Sequence, residues 1–223
     1  MSLEPLPPYF KRHYTPAELV ADALVHGIAI VAGLVGFAAL FFRLGEKGDA
    51  ANAAAIGVYA VAFFLLFGFS CAYNLSPPCR VKWLLRRLDH AGIFLMISGT
   101  YTALLSQALP DARIAAMMAC VWVASIGGAA IALLATPGRF DRVLLALYLT
   151  LGWAAMIGAP RLMATLPADV LYLMLAGGVV YSLGVPFHLW NSLKYQNAIW
   201  HGFVTVAAAC QLAGVAKAVG HGG

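Results

Sequence analysis

The sequence predicts an all-α membrane protein, a bundle of seven transmembrane helices with no separate soluble domain. Three observations lead there. Of the 223 residues, 62% are hydrophobic and only 10% charged, whereas a soluble domain carries about 25% charged residues; mean hydropathy is +0.84. The apolar residues gather in seven runs, at 17–42, 50–73, 89–107, 112–135, 140–160, 169–190 and 197–219, each near the ~20 residues that cross a bilayer as a helix. The runs are continuous rather than alternating, which argues against lipid-facing barrel strands of about half that length.

Taken in order, residues 1–16 hold Pro5, Pro7, Pro8 and Pro16 with Lys11 and Arg12, and are expected to form a cytoplasmic tail. The first apolar run continues to Phe42, longer than the ~7–15-residue core of a cleavable signal, so it is expected to remain as a helix. Thr15 and Glu18 stand at the spacing of a capping box at its start. Between the second and third runs lies a basic turn with Pro77 and Pro78. The pairs Gly127-Gly128 and Gly177-Gly178 suit close helix approach in lipid, where apolarity alone does not drive association. Residues 220–223 are left as a short extracytoplasmic tail.

The charges predict orientation. Lys11, Arg12, Arg80, Lys82, Arg86, Arg87, Arg139, Arg142 and Lys194 fall on one side; Arg43, Lys47, Arg113, Arg161 and Lys217 fall on the other. With positive loops inside, the protein is expected in the inner (cell) membrane, multi-pass, with its amino terminus cytoplasmic. The net charge of +5 is explained by this placement and does not point to nucleic acid. Cys71, Cys79, Cys120 and Cys210 form no CxxC pair or secreted framework and read as free thiols. A retinal Schiff base would need a mid-membrane lysine in the last helix, and Lys217 lies at its outer end.

The polar residues inside the runs share a depth. Glu18, Asp22 and His26 are spaced by four and occupy one face of the first helix. Ser70 and Asn74 share a face at the end of the second. Asp89 is expected to open the third, His188 closes the sixth, and Asn197 and His201 open the seventh. Gln211 lies ten residues beyond His201, ~15 Å deeper by helix rise. Each has an ordinary reading: Glu18 and Asp22 as carboxylates at a helix N-terminus, Asp89 as an interfacial acid beside Arg86 and Arg87, Asn197 and His201 as interhelical hydrogen-bond partners. Their coincidence of depth on five helices favours one shared site, because ionisable groups inside a membrane are costly.

At these residues the sequence resembles the hemolysin III branch of the progestin and adipoQ receptor (PAQR) superfamily. The resemblance covers nearly the whole chain. It rests on Glu18-x3-Asp22-x3-His26-Gly27, on Ser70-x2-Tyr73-Asn74 followed by Arg86-Arg87-Leu88-Asp89-His90-Ala91-Gly92 and Gly99-Thr100-Tyr101, and on Asn197-Ala198-Ile199-Trp200-His201-Gly202. It implies a site near the cytoplasmic face that, in receptor members, holds zinc through three histidines with an aspartate near the metal-bound water. Hydrolysis of amide-linked lipids such as ceramides is linked to them. Carried over, Asp89 matches the aspartate, Ser70 the motif serine, and His201 one ligand. The other family histidines fall on Asn74 and Asn197, and a further one on Gln211. Asparagine amides are poor zinc ligands, so the substitutions favour a hydrogen-bonded cluster; a rebuilt metal site would enlist His201, Asp89 and either His26 or His188.

Three functions follow as expectations. The first is a membrane-homeostasis protein that acts on or senses membrane lipids. The second is a zinc-dependent hydrolase of amide-linked lipids, with Asp89 and Ser70 catalytic and His201 a ligand. The third, a pore-forming cytolysin, has the least support, since the polar groups cluster at one end rather than line a route across.

Overall fold

A computed structural model describes residues 14–47, 49–108, 111–156 and 159–221. Most of the expected amino-terminal tail, and the last two residues of the carboxyl-terminal one, lie outside the described residues. Those described are helical, with no strand among them. The helices are α1 (Pro16–Lys47), α2 (Ala50–Leu75), α3 (Arg80–Leu105), α4 (Ala112–Leu134), α5 (Asp141–Trp153), α6 (Ala159–Thr165), α7 (Ala168–Leu189) and α8 (Gln196–His221). Five of them, α1, α2, α4, α7 and α8, are long and apolar enough to cross a membrane.

Two boundaries differ from the sequence reading, each for a physical reason. α3 begins at Arg80 rather than Asp89. Arg80, Lys82, Arg86 and Arg87 depress its hydropathy without interrupting the helix, and Pro77 and Pro78 just before it keep α2 from running on. Asp89 therefore lies in the third turn of α3, not at its mouth. The stretch 140–160 is divided: α5 ends at Trp153, a 3-10 turn covers Ala154–Met156, and α6 starts at Ala159. Pro160 sits in the first turn of α6, where its missing N–H leaves no intrahelical bond unmade.

α1 packs between α2 and α8, α2 against α3, α3 against α4, and α7 against α8, so that the last helix returns beside the first. The face of α1 that turns inward is one stripe: Asp22, His26, Ala29, Gly33, Phe37, Leu40 and Leu44 are all buried, at steps of three or four. The opposite face carries exposed Val20, Leu24, Ile28, Val31, Val35 and Phe42, an apolar surface that only lipid suits. The stripe thus starts with ionisable residues and ends with hydrocarbon. Phe37 is met edge-on by Tyr59 and Phe63 of α2, at 5.1 and 5.4 Å between ring centroids, which fixes the α1–α2 register below the polar end.

The start of α1 is tied to the start of α8. Thr15 Oγ1 accepts the backbone N–H of Glu18 at 3.3 Å, and Glu18 Oε2 accepts the N–H of Thr15 at 2.9 Å, a reciprocal cap. The other carboxylate oxygen accepts the backbone N–H of Tyr195 at 3.1 Å. Tyr195 has a left-handed φ of 59°, unusual for a bulky residue, and that turn aims α8 back into the bundle.

The neighbours Gly127 and Gly128 on α4 give a test of the packing. A Cβ at Gly128 would lie 2.2 Å from the ring of Phe94, whereas one at Gly127 meets nothing within 4 Å. Phe94 is fully buried against Tyr148 and has nowhere to move. Gly128→Ala is expected to lower the melting temperature in detergent, at a cost of about 1–3 kcal/mol. Gly127→Ala is expected to leave it unchanged or raise it, since alanine is favoured over mid-helix glycine by about 0.5–1 kcal/mol. Equal melting temperatures for the two variants would contradict this packing.

Candidate functional site

Three helix ends meet at one end of the bundle: the second turn of α1, the last turns of α2 and the second turn of α8. The i,i+4 spacing of Asp22 and His26 puts both on the inward stripe of α1. The same spacing puts Ser70 above Asn74 on α2 and Asn197 above His201 on α8. Asp22 is 2% exposed, His26 0%, Ser70 5% and His201 9%.

The hydrogen bonds run in one direction. Asn197 Nδ2 donates to Asn74 Oδ1 at 2.9 Å. Asn74 Nδ2 donates to the Ser70 carbonyl at 2.9 Å and reaches Ser70 Oγ at 3.4 Å. Ser70 Oγ lies 3.3 Å from His201 Nε2, and His201 Nδ1 lies 2.6 Å from Asp22 Oδ1. A carboxylate can only accept, so His201 carries its proton on Nδ1 and presents the Nε2 lone pair to the serine hydroxyl. His26 Nδ1 donates to the Asp22 carbonyl at 2.8 Å, which leaves its Nε2 as a second lone pair. That Nε2 and Asp22 Oδ2 are both buried without a hydrogen-bond partner. The two imidazoles meet edge to face, 4.5 Å between centroids.

The site residues named from the sequence thus divide. Asp22, His26, Ser70, Asn74, Asn197 and His201 come together on α1, α2 and α8, and Glu18 braces them one turn away. Asp89 makes no hydrogen bond to this cluster. Its near ionic neighbour is His90 Nδ1 at 3.7 Å. The carboxylate that meets His201 is Asp22. His188 lies against the ring of Trp200, 4.7 Å between centroids, and its carbonyl takes the Gln196 amide. Gln211 packs over Gly177 of α7, away from the cluster. One contributor was not singled out in the sequence: Tyr14, whose hydroxyl donates to Asn197 Oδ1 at 3.4 Å. Separately, Arg86 is buried and paired with Asp141 at 2.6 Å. Asp141 opens the helix after the fourth apolar run, and no sequence spacing links it to Arg86.

This geometry bears on the metal that the resemblance implies. The three-histidine set does not fit, because Asn74 and Asn197 stand at two of its positions and their amides are engaged with each other. A different set does fit: Asp22, His26 and His201 each offer a ligand atom, all within 4.8 Å of one another. Two imidazoles and a carboxylate with an open position are a zinc-enzyme donor set, and Asp22 and His26 each carry one buried polar atom without a partner among the described residues.

Comparison with known proteins decides the family. The model of the haemolysin-III-related family matches residues 17–212. The chain belongs to that family. It is 33% identical to Hemolysin-3 of Bacillus cereus over 192 residues, 86% of this chain and 87% of the relative. It is 28% identical over 196 residues to the Hemolysin-3 homolog of Bacillus subtilis (strain 168), covering 88% of this chain and 92% of that one. The human monocyte to macrophage differentiation factor is 26% identical over 215 residues, 90% of this chain and 87% of its own. These matches place the chain in the hemolysin III/PAQR superfamily and, with its long apolar helices, make it an integral membrane protein. Within this haemolysin-III-related chain, the buried contact of Asp22 and His201 is the closest carboxylate–imidazole pair of the cluster, at 2.6 Å.

The pairing predicts non-additivity. Asp22→Asn and His201→Gln each disrupt the same bond, so the double variant should lose less stability than the two single losses combined, by about 0.5–3 kcal/mol. Melting curves of the four proteins in one detergent measure this. Strict additivity would mean that the two side chains do not interact.

Proposed function

We propose that this haemolysin-III-related protein is a membrane-homeostasis protein that senses or acts on membrane lipids through the cluster of Asp22, His26, Ser70 and His201. One observation supports this most: an acid and two imidazoles lie buried at the head of an otherwise apolar stripe, where ionisable groups are retained only at a cost. Structural duty alone would be served by neutral amides of the kind that Asn74 and Asn197 already supply.

The reading includes the membrane arrangement. α3 and the α5–α6 stretch are taken as the remaining two crossings, giving seven. The Lys and Arg distribution supports a cytoplasmic amino terminus in the inner (cell) membrane; in that arrangement the cluster lies just below the cytoplasmic leaflet surface. Ser70 and His201 are 5% and 9% exposed, so a lipid group that meets them has to enter between the helix ends. The Ser70 hydroxyl, held against His201 Nε2, can hand its proton to the ring, and Asp22 stabilises the imidazolium that results. Asn74 and Asn197 fix the orientation of the serine.

A second reading, hydrolysis of an amide-linked lipid with a metal, is favoured by the two buried unpartnered atoms on Asp22 and His26. Zinc held by Asp22, His26 and His201 would lower the pKa of a bound water to ~7. The chain would then supply proton transfer through Ser70 and exclude bulk water by burial.

Expression of the wild-type protein in a host lacking its own copy should change membrane lipid composition or order, read by lipid mass spectrometry and by a polarity-sensitive membrane dye. Folded Asp22→Asn and His201→Gln proteins at equal levels should not. Variants as effective as wild type would reduce the cluster to scaffolding. For the second reading, zinc should raise the melting temperature of the purified protein, and His26→Ala should remove that rise. No zinc-dependent shift in wild type would eliminate it.

A further inference from the structure

A groove of about 370 Å³ opens between α1 and α8 on the outside of the bundle. Its floor on α1 is Ala29, Ala32, Gly33, Gly36 and Ala39, and Ala209 and Ala213 of α8 form the facing wall. The lining is almost entirely hydrocarbon, and it holds one charge, Arg43, at the far end. Ala32, Ala39, Ala209 and Ala213 are exposed, so the groove opens sideways, toward lipid. By helix rise it runs ~21 Å from Ala29 to Arg43, most of the ~30 Å apolar thickness of a bilayer. Arg43 has no hydrogen bond or ion pair among the described residues. It stands ~25 Å from His26 along α1, at the membrane face opposite the cluster.

We propose that this groove binds one acyl chain of an anionic phospholipid, from the leaflet at the Arg43 end, with the phosphate on the Arg43 guanidinium. Width and chemistry both bear on that occupant. Phe63 and Leu212 pack onto Gly33 and Gly36 at the base of the groove, while alanines on both walls leave the rest of it open, and an apolar channel open to the bilayer core takes a hydrocarbon chain. Guanidinium matches phosphate in geometry and charge, and its alkyl stem can follow the groove while the head stays at the interface. The inner end of the groove reaches the polar cluster: Ala29 is one turn beyond His26, and Thr205, also in the lining, is one turn beyond His201. A chain seated there would touch the helix turns that carry both imidazoles. The proposal goes beyond the lipid-handling reading and stands without it, because occupancy is measured whether or not the cluster does anything.

The test is native mass spectrometry of the full chain released from bilayer nanodiscs of equal phosphatidylglycerol and phosphatidylethanolamine. Wild type should retain a single phosphatidylglycerol in preference to phosphatidylethanolamine by about fivefold, the contribution of one basic residue beside anionic lipid. Arg43→Gln should abolish the preference while leaving some lipid bound. Ala32→Phe with Ala213→Phe should bring retention down to the level of non-specific adducts; a single Ala32→Phe gives the same readout if the pair fails to fold. Filling variants that melt normally yet retain phosphatidylglycerol like wild type would overturn the proposal. So would a wild-type protein without headgroup preference, retention of free fatty acid instead of phospholipid, or a dimer that Ala32→Phe splits. Loss of retention together with unchanged effects on host membranes would leave the groove standing and count against a role for it in the function proposed above.

Discussion

A carboxylate set one turn inside an apolar helix has to find a donor, and in this protein the donor is His201. The 2.6 Å contact between Asp22 Oδ1 and His201 Nδ1 joins the first long helix to the last. It is buried, and an unpaired charge there would cost several kcal/mol. The pairing constrains much else at that end. It fixes the tautomer of His201, turns Nε2 toward Ser70, and holds α1 and α8 at a distance that brings Glu18 to the Tyr195 amide. Further along the same two helices, small residues rather than bonds set the separation, and the groove between them is the consequence.

Much of this could be read from the sequence because membrane helices make simple patterns. Composition excluded a soluble protein, and the four-residue spacings of Asp22 with His26, Ser70 with Asn74, and Asn197 with His201 put each pair on one face. Periodicity gives faces but not neighbours, however. Nothing in the spacing states whether Asp22 or Asp89 meets His201, since both acids lie near the same end. The helix boundary at α3 was obscured for a related reason: Arg80 through Arg87 lower hydropathy while favouring helix, so an apolar-run criterion starts the helix nine residues late. The division of α5 from α6 follows from local backbone chemistry around Pro160 that an apolar average does not register.

The family match and the cluster bear on each other. The resemblance implies a metal centre built on positions now held by Asn74 and Asn197, and the structure shows those amides spent on one another and on the Ser70 carbonyl. The ionisable groups that remain are displaced toward α1, where Asp22 and His26 flank His201. The proposed relay and the proposed donor set share His201, which meets Ser70 through Nε2 and Asp22 through Nδ1. Both proposed readings of the cluster therefore turn on the state of the His201 imidazole.

That state is open to direct measurement. Nitrogen-15 chemical shifts of the His201 ring, recorded on side-chain-labelled protein in bilayers, distinguish the two neutral tautomers and the imidazolium. Protonation on Nδ1 with a free Nε2, lost when Asp22 is changed to Asn, is the predicted result. A His201 protonated on Nε2, or a spectrum indifferent to Asp22→Asn, would contradict the account at its base.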